Sequence, residues 1–269
     1  MAALAWLTKN RFATSPAHVD AALRSRFFPF TPKAVMAAMR HALSGLGHWR
    51  LAGEEGGALR LERETRIMRF VDDVTVTAGA HPHGSLVDIA SASRVGLGDF
   101  GQNRRNILEA FDALGVELMD VKPRPGDSGL LFCHYTPRPV KAVARPLFDP
   151  GLALLITPPA LRARIVSPPD TLDVGGRFTL EAAGLFTWVA EITEWNPPRA
   201  FTTKMLSGPF AYFVHRLTVS EAGGGAVICD RVHYRSLASP VAGLFTSGWL
   251  TGIFAERTRL LDRQTEPHP

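Results

Sequence analysis

The sequence predicts an α+β protein in two parts: a small antiparallel-sheet α/β domain, then a curved antiparallel sheet closed by one long C-terminal helix. Three observations carry this reading. Strand-like runs follow one another across short turns, which favours antiparallel pairing over parallel crossovers. Helical periodicity is confined to a few well-separated stretches. Between them lies residues 121–129, VKPRPGDSG, whose prolines, glycines and charges are linker chemistry. The expected domains are therefore 24–120 and 130–264, joined by 121–129.

In the first domain a short strand is expected over 26–30. Thr31 then caps a helix with Pro32 at its first position, running to about Leu46. Val35, Met36, Met39, Leu43 and Leu46 recur at spacings of three and four, one helical face. Strands follow near 49–52, 58–64, 70–77 and 86–91. A second helix over 103–114 places Ile107, Leu108, Phe111 and Leu114 on one side.

The second domain opens with a strand near 130–135 and a helical stretch over 139–155 broken by Pro146 and Pro150. Six strands are expected near 162–167, 177–183, 186–195, 201–206, 212–220 and 226–237. Turn formers separate them, among them Gly175-Gly176, Asn196-Pro197-Pro198 and Gly223-Gly224-Gly225. The last element, 240–263, reads as a helix whose apolar residues Leu244, Phe245, Trp249, Leu250, Ile253, Phe254 and Leu260 cover more than a narrow stripe. Such a helix lies against a sheet or over a cavity. An antiparallel sheet wrapped around one long helix is a helix-grip arrangement, and its physical consequence is a hollow between the two.

Composition narrows the functions available. With 46% hydrophobic and 20% charged residues the chain can bury a core. The net charge is +5, carried by scattered arginines with only Lys9, Lys33, Lys122, Lys141 and Lys204 as lysines. No basic run marks a nucleic-acid surface, so no nucleic-acid partner is expected. Cys133 and Cys229 are the only cysteines, and both sit in apolar strand text. They read as buried thiols in a reducing, cytoplasmic setting. The opening MAALAWL lacks the charge and cleavage pattern of a signal peptide, and no run is long enough to span a membrane, though that opening offers a possible membrane contact. No nucleophile elbow, P-loop or dinucleotide fingerprint is present, so no catalytic residue, metal or cofactor is assigned. His81-Pro82-His83 reads as a hairpin loop, because no third ligand follows at metal spacing.

The densest chemistry lies in residues 87–114, VDIASASRVGLGDFGQNRRNILEAFDAL. Asp88, Ser91, Ser93 and Arg94 end a strand, and Asp99 is placed to cap the helix carrying Asn103 and Arg104. Asp72 and Asp73 lie on a neighbouring strand and point to opposite faces, so they form no catalytic dyad. One reading is a small anion site with Arg94 and the helix N-terminus as its positive end. The competing and favoured reading is an ion-pair and capping network that locks the strand–helix junction.

This half resembles the domain-of-unknown-function family 1499 (DUF1499) from about Phe28 to Leu114. The residues carrying the resemblance are Phe70, Asp72-Asp73, Val74, Asp88, Ser91, Ser93-Arg94, Gly96, Asp99, Gly101, Asn103 and Arg104. Ala90 stands where that family commonly has arginine, and the resemblance implies a fold and a functional surface but no chemistry. The second half is similar to the SRPBCC superfamily, the group of START domains, polyketide cyclases and birch-allergen-like proteins. It shares Leu154-Leu155-Ile156-Thr157-Pro158-Pro159, Gly175-Gly176, Trp188, Trp195-Asn196-Pro197-Pro198, Phe201, Gly208-Pro209-Phe210, His215, Asp230 and Tyr234. Phe213 departs from a common tryptophan, and serines replace the usual Pro-Gly turn after the final strand.

The SRPBCC resemblance implies a cavity for a small hydrophobic ligand. Phe178, Phe186, Trp188, Phe201, Phe210, Tyr212, Trp249 and Phe254 are candidates to line it, with His215, Asp230 and Tyr234 as orienting groups. On the final strand Asp230 shares a face with Ile228, Val232 and Tyr234, and His233 faces away. From the residues alone a buried, satisfied polar pair is the favoured reading of His215 with Asp230, and most of the aromatics read equally as core. The function expected is non-enzymatic binding of a small hydrophobic or lipid-like molecule, with the first domain an accessory module. Two alternatives stand beside it. One is a cyclase- or hydrolase-like enzyme using His215 or Asp230 as base in the same cavity. The other is an envelope-associated scaffold.

Overall fold

The computed structural model describes residues 10–65, 69–95, 101–182, 186–236 and 240–264, with the side chains of 240–245 and 264 set aside. The architecture is α+β, and the chain divides into two compact units, Met1–Asp120 and Val121–Pro269.

In the first unit the elements are β1 (Arg11–Ala13), β2 (Arg26–Phe28), α1 (Pro32–Ser44), β3 (Trp49–Glu55), β4 (Ala58–Glu64), β5 (Val71–His81), β6 (Gly84–Ser93) and α2 (Gln102–Leu118). The sheet order is β3-β4-β5-β6-β2, all antiparallel, and β1 shares the β2 edge of β6. Every expected element is present. The addition is β1, whose three residues are too few for alternation to show. Thr31 caps α1 through Ala34 N–H at 3.3 Å, and Val35, Met39 and Leu43 are fully buried along one stripe. On α2, Ile107, Phe111 and Leu114 are buried in the same way. Strands β5 and β6 meet in a tight hairpin at Pro82-His83, with His81 opposite Gly84. A Cβ on Gly84 would lie 2.2 Å from the Phe28 carbonyl oxygen, so only glycine lets β2 pass this corner.

The second unit contains β7 (Ser128–Thr136), α3 (Val140–Phe148), α4 (Pro150–Ala153), β8 (Arg164–Ser167), β9 (Arg177–Ala182), β10 (Phe186–Asn196), β11 (Ala200–Ser207), β12 (Phe210–Ala222), β13 (Gly225–Ser236) and α5 (Pro240–Gln264). The sheet runs β7-β13-β12-β11-β10-β9-β8, antiparallel throughout. The helical stretch after β7 breaks at Pro150 but continues through Pro146. Pro146 lies inside α3, and Asp149 starts α4 afresh by accepting from Gly151 N and Leu152 N at 2.9 and 3.1 Å. Helix α5 packs on β7 and β13. One core cluster joins Val143, Leu147, Leu217, Ile228 and Leu261, and a second joins Leu130, Phe213, Val232, Tyr234, Leu250 and Phe254.

One expectation is corrected here. Cys133 and Cys229 are not separate thiols but a disulfide, because they are direct cross-strand partners on β7 and β13 with Cα atoms 4.2 Å apart. The argument from free thiols to a reducing compartment falls with that correction.

Candidate functional site

The hollow expected of a helix gripped by a curved sheet is present. A cavity of about 380 Å³ lies in the second unit, within the size range of small-molecule sites. The sheet contributes Phe178 and Leu180 from β9, Trp188, Ile192 and Trp195 from β10, Phe201 and Thr203 from β11, and Phe213 and His215 from β12. The opposite wall comes from Leu147, Phe148, Leu154, Thr157, Pro158 and Leu161. Helix α5 closes it with Trp249, Leu250, Ile253, Phe254 and Arg257. The aromatic rings brace one another edge to face: Trp188 with Phe213 at 4.6 Å, Phe148 with Phe201 at 5.5 Å, and Phe201 with His215 at 5.9 Å.

One polar constellation interrupts this apolar wall. Asp230 is completely buried on β13, diagonal to His215 on β12. Its Oδ1 lies 2.7 Å from His215 Nε2 and accepts from Arg257 Nη1 at 2.9 Å, and its Oδ2 accepts from Arg257 Nη2. Burial by itself raises a carboxyl's pKa, but the Arg257 charge and the hydrogen bonds from His215 and Arg257 outweigh it. They hold Asp230 below the ordinary carboxylate range, as the ionised form. His215 and Arg257 reach the cavity, and Asp230 sits behind them as their common anchor.

Of the eleven residues expected to line the cavity or orient a ligand, Phe178, Trp188, Phe201, His215, Trp249 and Phe254 line it. The other five do not. Asp230 stands one layer back. Tyr234 is core, 2% exposed, and Phe210 packs between Trp188 and Tyr234 with ring centroids 5.7 and 6.0 Å away. Phe186, at the start of β10, is 48% exposed. Tyr212 is displaced by a bulge: the pairs Phe210–Ser236 and Tyr212–Arg235 put one extra residue on β12, so the inward set becomes Phe213, His215 and Leu217. Arg124 lies over the Tyr212 ring at 5.5 Å instead.

Arg257 was absent from the expectation. Its signal is a charge three residues after Phe254 and four after Ile253, on the face that otherwise reads as apolar. The side chains of Leu244 and Phe245 lie outside the described residues.

In the first unit the polar junction resolves into separate groups. Asp72 is buried and accepts from Ser93 Oγ and Asn106 Nδ2, both at 2.7 Å. Ser91 Oγ bonds Asn103 Oδ1 at 2.6 Å, and Asn103 Nδ2 reaches the Asn10 carbonyl at 2.9 Å. Asp73, on the other face as expected, pairs with Arg94 in solvent. Asp88 accepts from Thr14 Oγ1 at 2.7 Å, and Arg104 bonds Asp20 at 2.9 Å. These bonds fasten α2 and the segment after β1 onto β5 and β6. Asp99 lies outside the described residues, and the cap position of α2 is Gly101, which offers no side-chain hydrogen bond.

Residues 136–266 match the family described as polyketide cyclase / dehydrase and lipid transport. Residues 4–114 match the family of proteins of unknown function DUF1499, so each half resembles the family its motifs indicate. No curated protein matches the chain. Among solved structures, a protein from Chromobacterium violaceum is 16% identical, with a TM-score of 0.42, covering 54% of this chain and 100% of its own. The major latex-like protein 151 of Panax ginseng is 17% identical, with a TM-score of 0.40, covering 52% of this chain and 99% of its own. The di-domain ARO/CYC StfQ from the steffimycin biosynthetic pathway is 11% identical, with a TM-score of 0.42, covering 95% of this chain and 97% of its own. Among the described residues, no helix is long and apolar enough to cross a membrane.

Proposed function

We propose that the second unit binds one small hydrophobic or lipid-like molecule in this cavity without transforming it, and that the first unit is an accessory module. The observation that carries the proposal is the wall: a hollow built mainly from aromatic and aliphatic side chains, with His215 and Arg257 as its titratable and charged groups. A protein that needed only a stable core would fill this space, since voids in cores cost stability. Apolar contact supplies affinity, at about 25 cal/mol per Å² of apolar surface removed from water, and the polar corner fixes orientation.

Native mass spectrometry of gently purified protein tests it. A co-purifying small molecule is expected, and Leu180→Trp, which fills the cavity from β9, removes it while leaving the far-ultraviolet circular dichroism unchanged. The proposal fails if wild-type protein carries nothing and takes up no naphthalene or 2-methoxynaphthalene by calorimetry.

One observation supports a second reading, in which the cavity is catalytic. A histidine anchored by a buried carboxylate is the arrangement of a general base. That reading predicts chemical change of a bound molecule over hours, abolished in His215→Phe. Binding without change sets it aside.

A further inference from the structure

The polar corner says more about the ligand than that it is apolar. Asp230 is an acceptor only, because its carboxylate is ionised and takes both outer nitrogens of Arg257. The His215 nitrogen facing it, Nε2 at 2.7 Å, must therefore donate. In the neutral imidazole this leaves the proton on Nε2 and a lone pair on Nδ1. Nothing among the described residues bonds Nδ1, and His215 is part of the cavity lining. The Arg257 charge is already matched by Asp230, so the corner holds no spare cation for an anionic head group. A ligand carboxylate here would stand beside a second carboxylate.

We infer that the ligand is an uncharged apolar molecule bearing a hydroxyl, phenolic or alcoholic, which donates its hydrogen bond to His215 Nδ1. The inference rests on the binding reading above and adds the chemical class. Phe201, edge-on to the His215 ring, and Phe254, 5.5 Å from it, keep the ring fixed so that the lone pair holds its direction.

The test uses three probes of one skeleton on the full chain by titration calorimetry: 2-naphthol, its methyl ether 2-methoxynaphthalene, and 2-naphthoate. The expected order is naphthol tightest, roughly tenfold over the ether, which keeps the oxygen but cannot donate. Naphthoate is expected to be weakest. In His215→Phe, which keeps an aromatic ring but removes the acceptor, naphthol and ether become equal. Equal binding of all three to wild type, or tightest binding of naphthoate, overturns the hydroxyl inference and leaves a binding cavity standing. A naphthol preference that persists in His215→Phe overturns the assignment to Nδ1. Failure of every probe, the ether included, removes the binding reading and this inference with it. The wild-type comparison of naphthol with its ether decides the matter even if the variant does not fold.

Discussion

A carboxylate sealed from water has to be matched or it takes up a proton, and Asp230 is matched twice, by Arg257 and by His215. Asp230→Asn keeps the shape but leaves Arg257 buried without its counter-charge. The expected cost is about 3–5 kcal/mol in urea unfolding. The sign of the pH effect follows from the depressed carboxyl. Its stabilisation is complete above the ordinary value of 3.8 and is lost as pH falls through the lower, folded value. Wild-type stability should therefore fall more steeply than that of Asp230→Asn as pH drops from 3.8 towards that lower value. Equal slopes would show that Asp230 does not carry the charge assigned to it. Sequence reasoning reached this residue because a lone acid on a strand face shared with Ile228, Val232 and Tyr234 is conspicuous. It missed Arg257 because a long helix with broad apolar coverage hides one charge among its solvent-facing ones.

Elements were legible where one physical signal ruled them. Capping and a strict three-four stripe gave α1, and alternation between turn formers gave the seven strands of the second unit. What stayed hidden was register. The bulge at the start of β12 turned Tyr212 out and Phe213 in, and no composition cue marks a single extra residue. The cysteine pair is hidden for the same reason: residues 96 apart in sequence meet only when β7 and β13 align. The bond closes a long loop, so replacing both cysteines by serine is expected to lower stability by about 2–4 kcal/mol. Non-reducing urea melts measure it. An unchanged midpoint, with the thiols titrating as free in the native wild type, would deny the bond.

At the scale of the molecule, the two units divide their labour in different currencies. The first unit puts its conspicuous polar residues into bonds that hold α2 on the sheet, such as Asp72 with Ser93 and Asn106. In the second, His215 and Arg257 bring polar atoms to the wall of a mostly apolar cavity, with Asp230 behind them. A dense polar motif thus marks structure in one half, and a sparse one marks the candidate site in the other. Counting polar residues along the chain would rank the halves the wrong way round.

The hollow has one more property. Three of the chain's five tryptophans, Trp188, Trp195 and Trp249, stand on its wall, and Trp249 is 48% exposed. Indole emission moves to shorter wavelength when water leaves the ring, so the protein carries its own optical gauge of occupancy. Adding a saturated alcohol, which neither absorbs nor quenches in that band, should shift the emission to the blue. Trp249→Phe should remove most of that shift while the alcohol still binds.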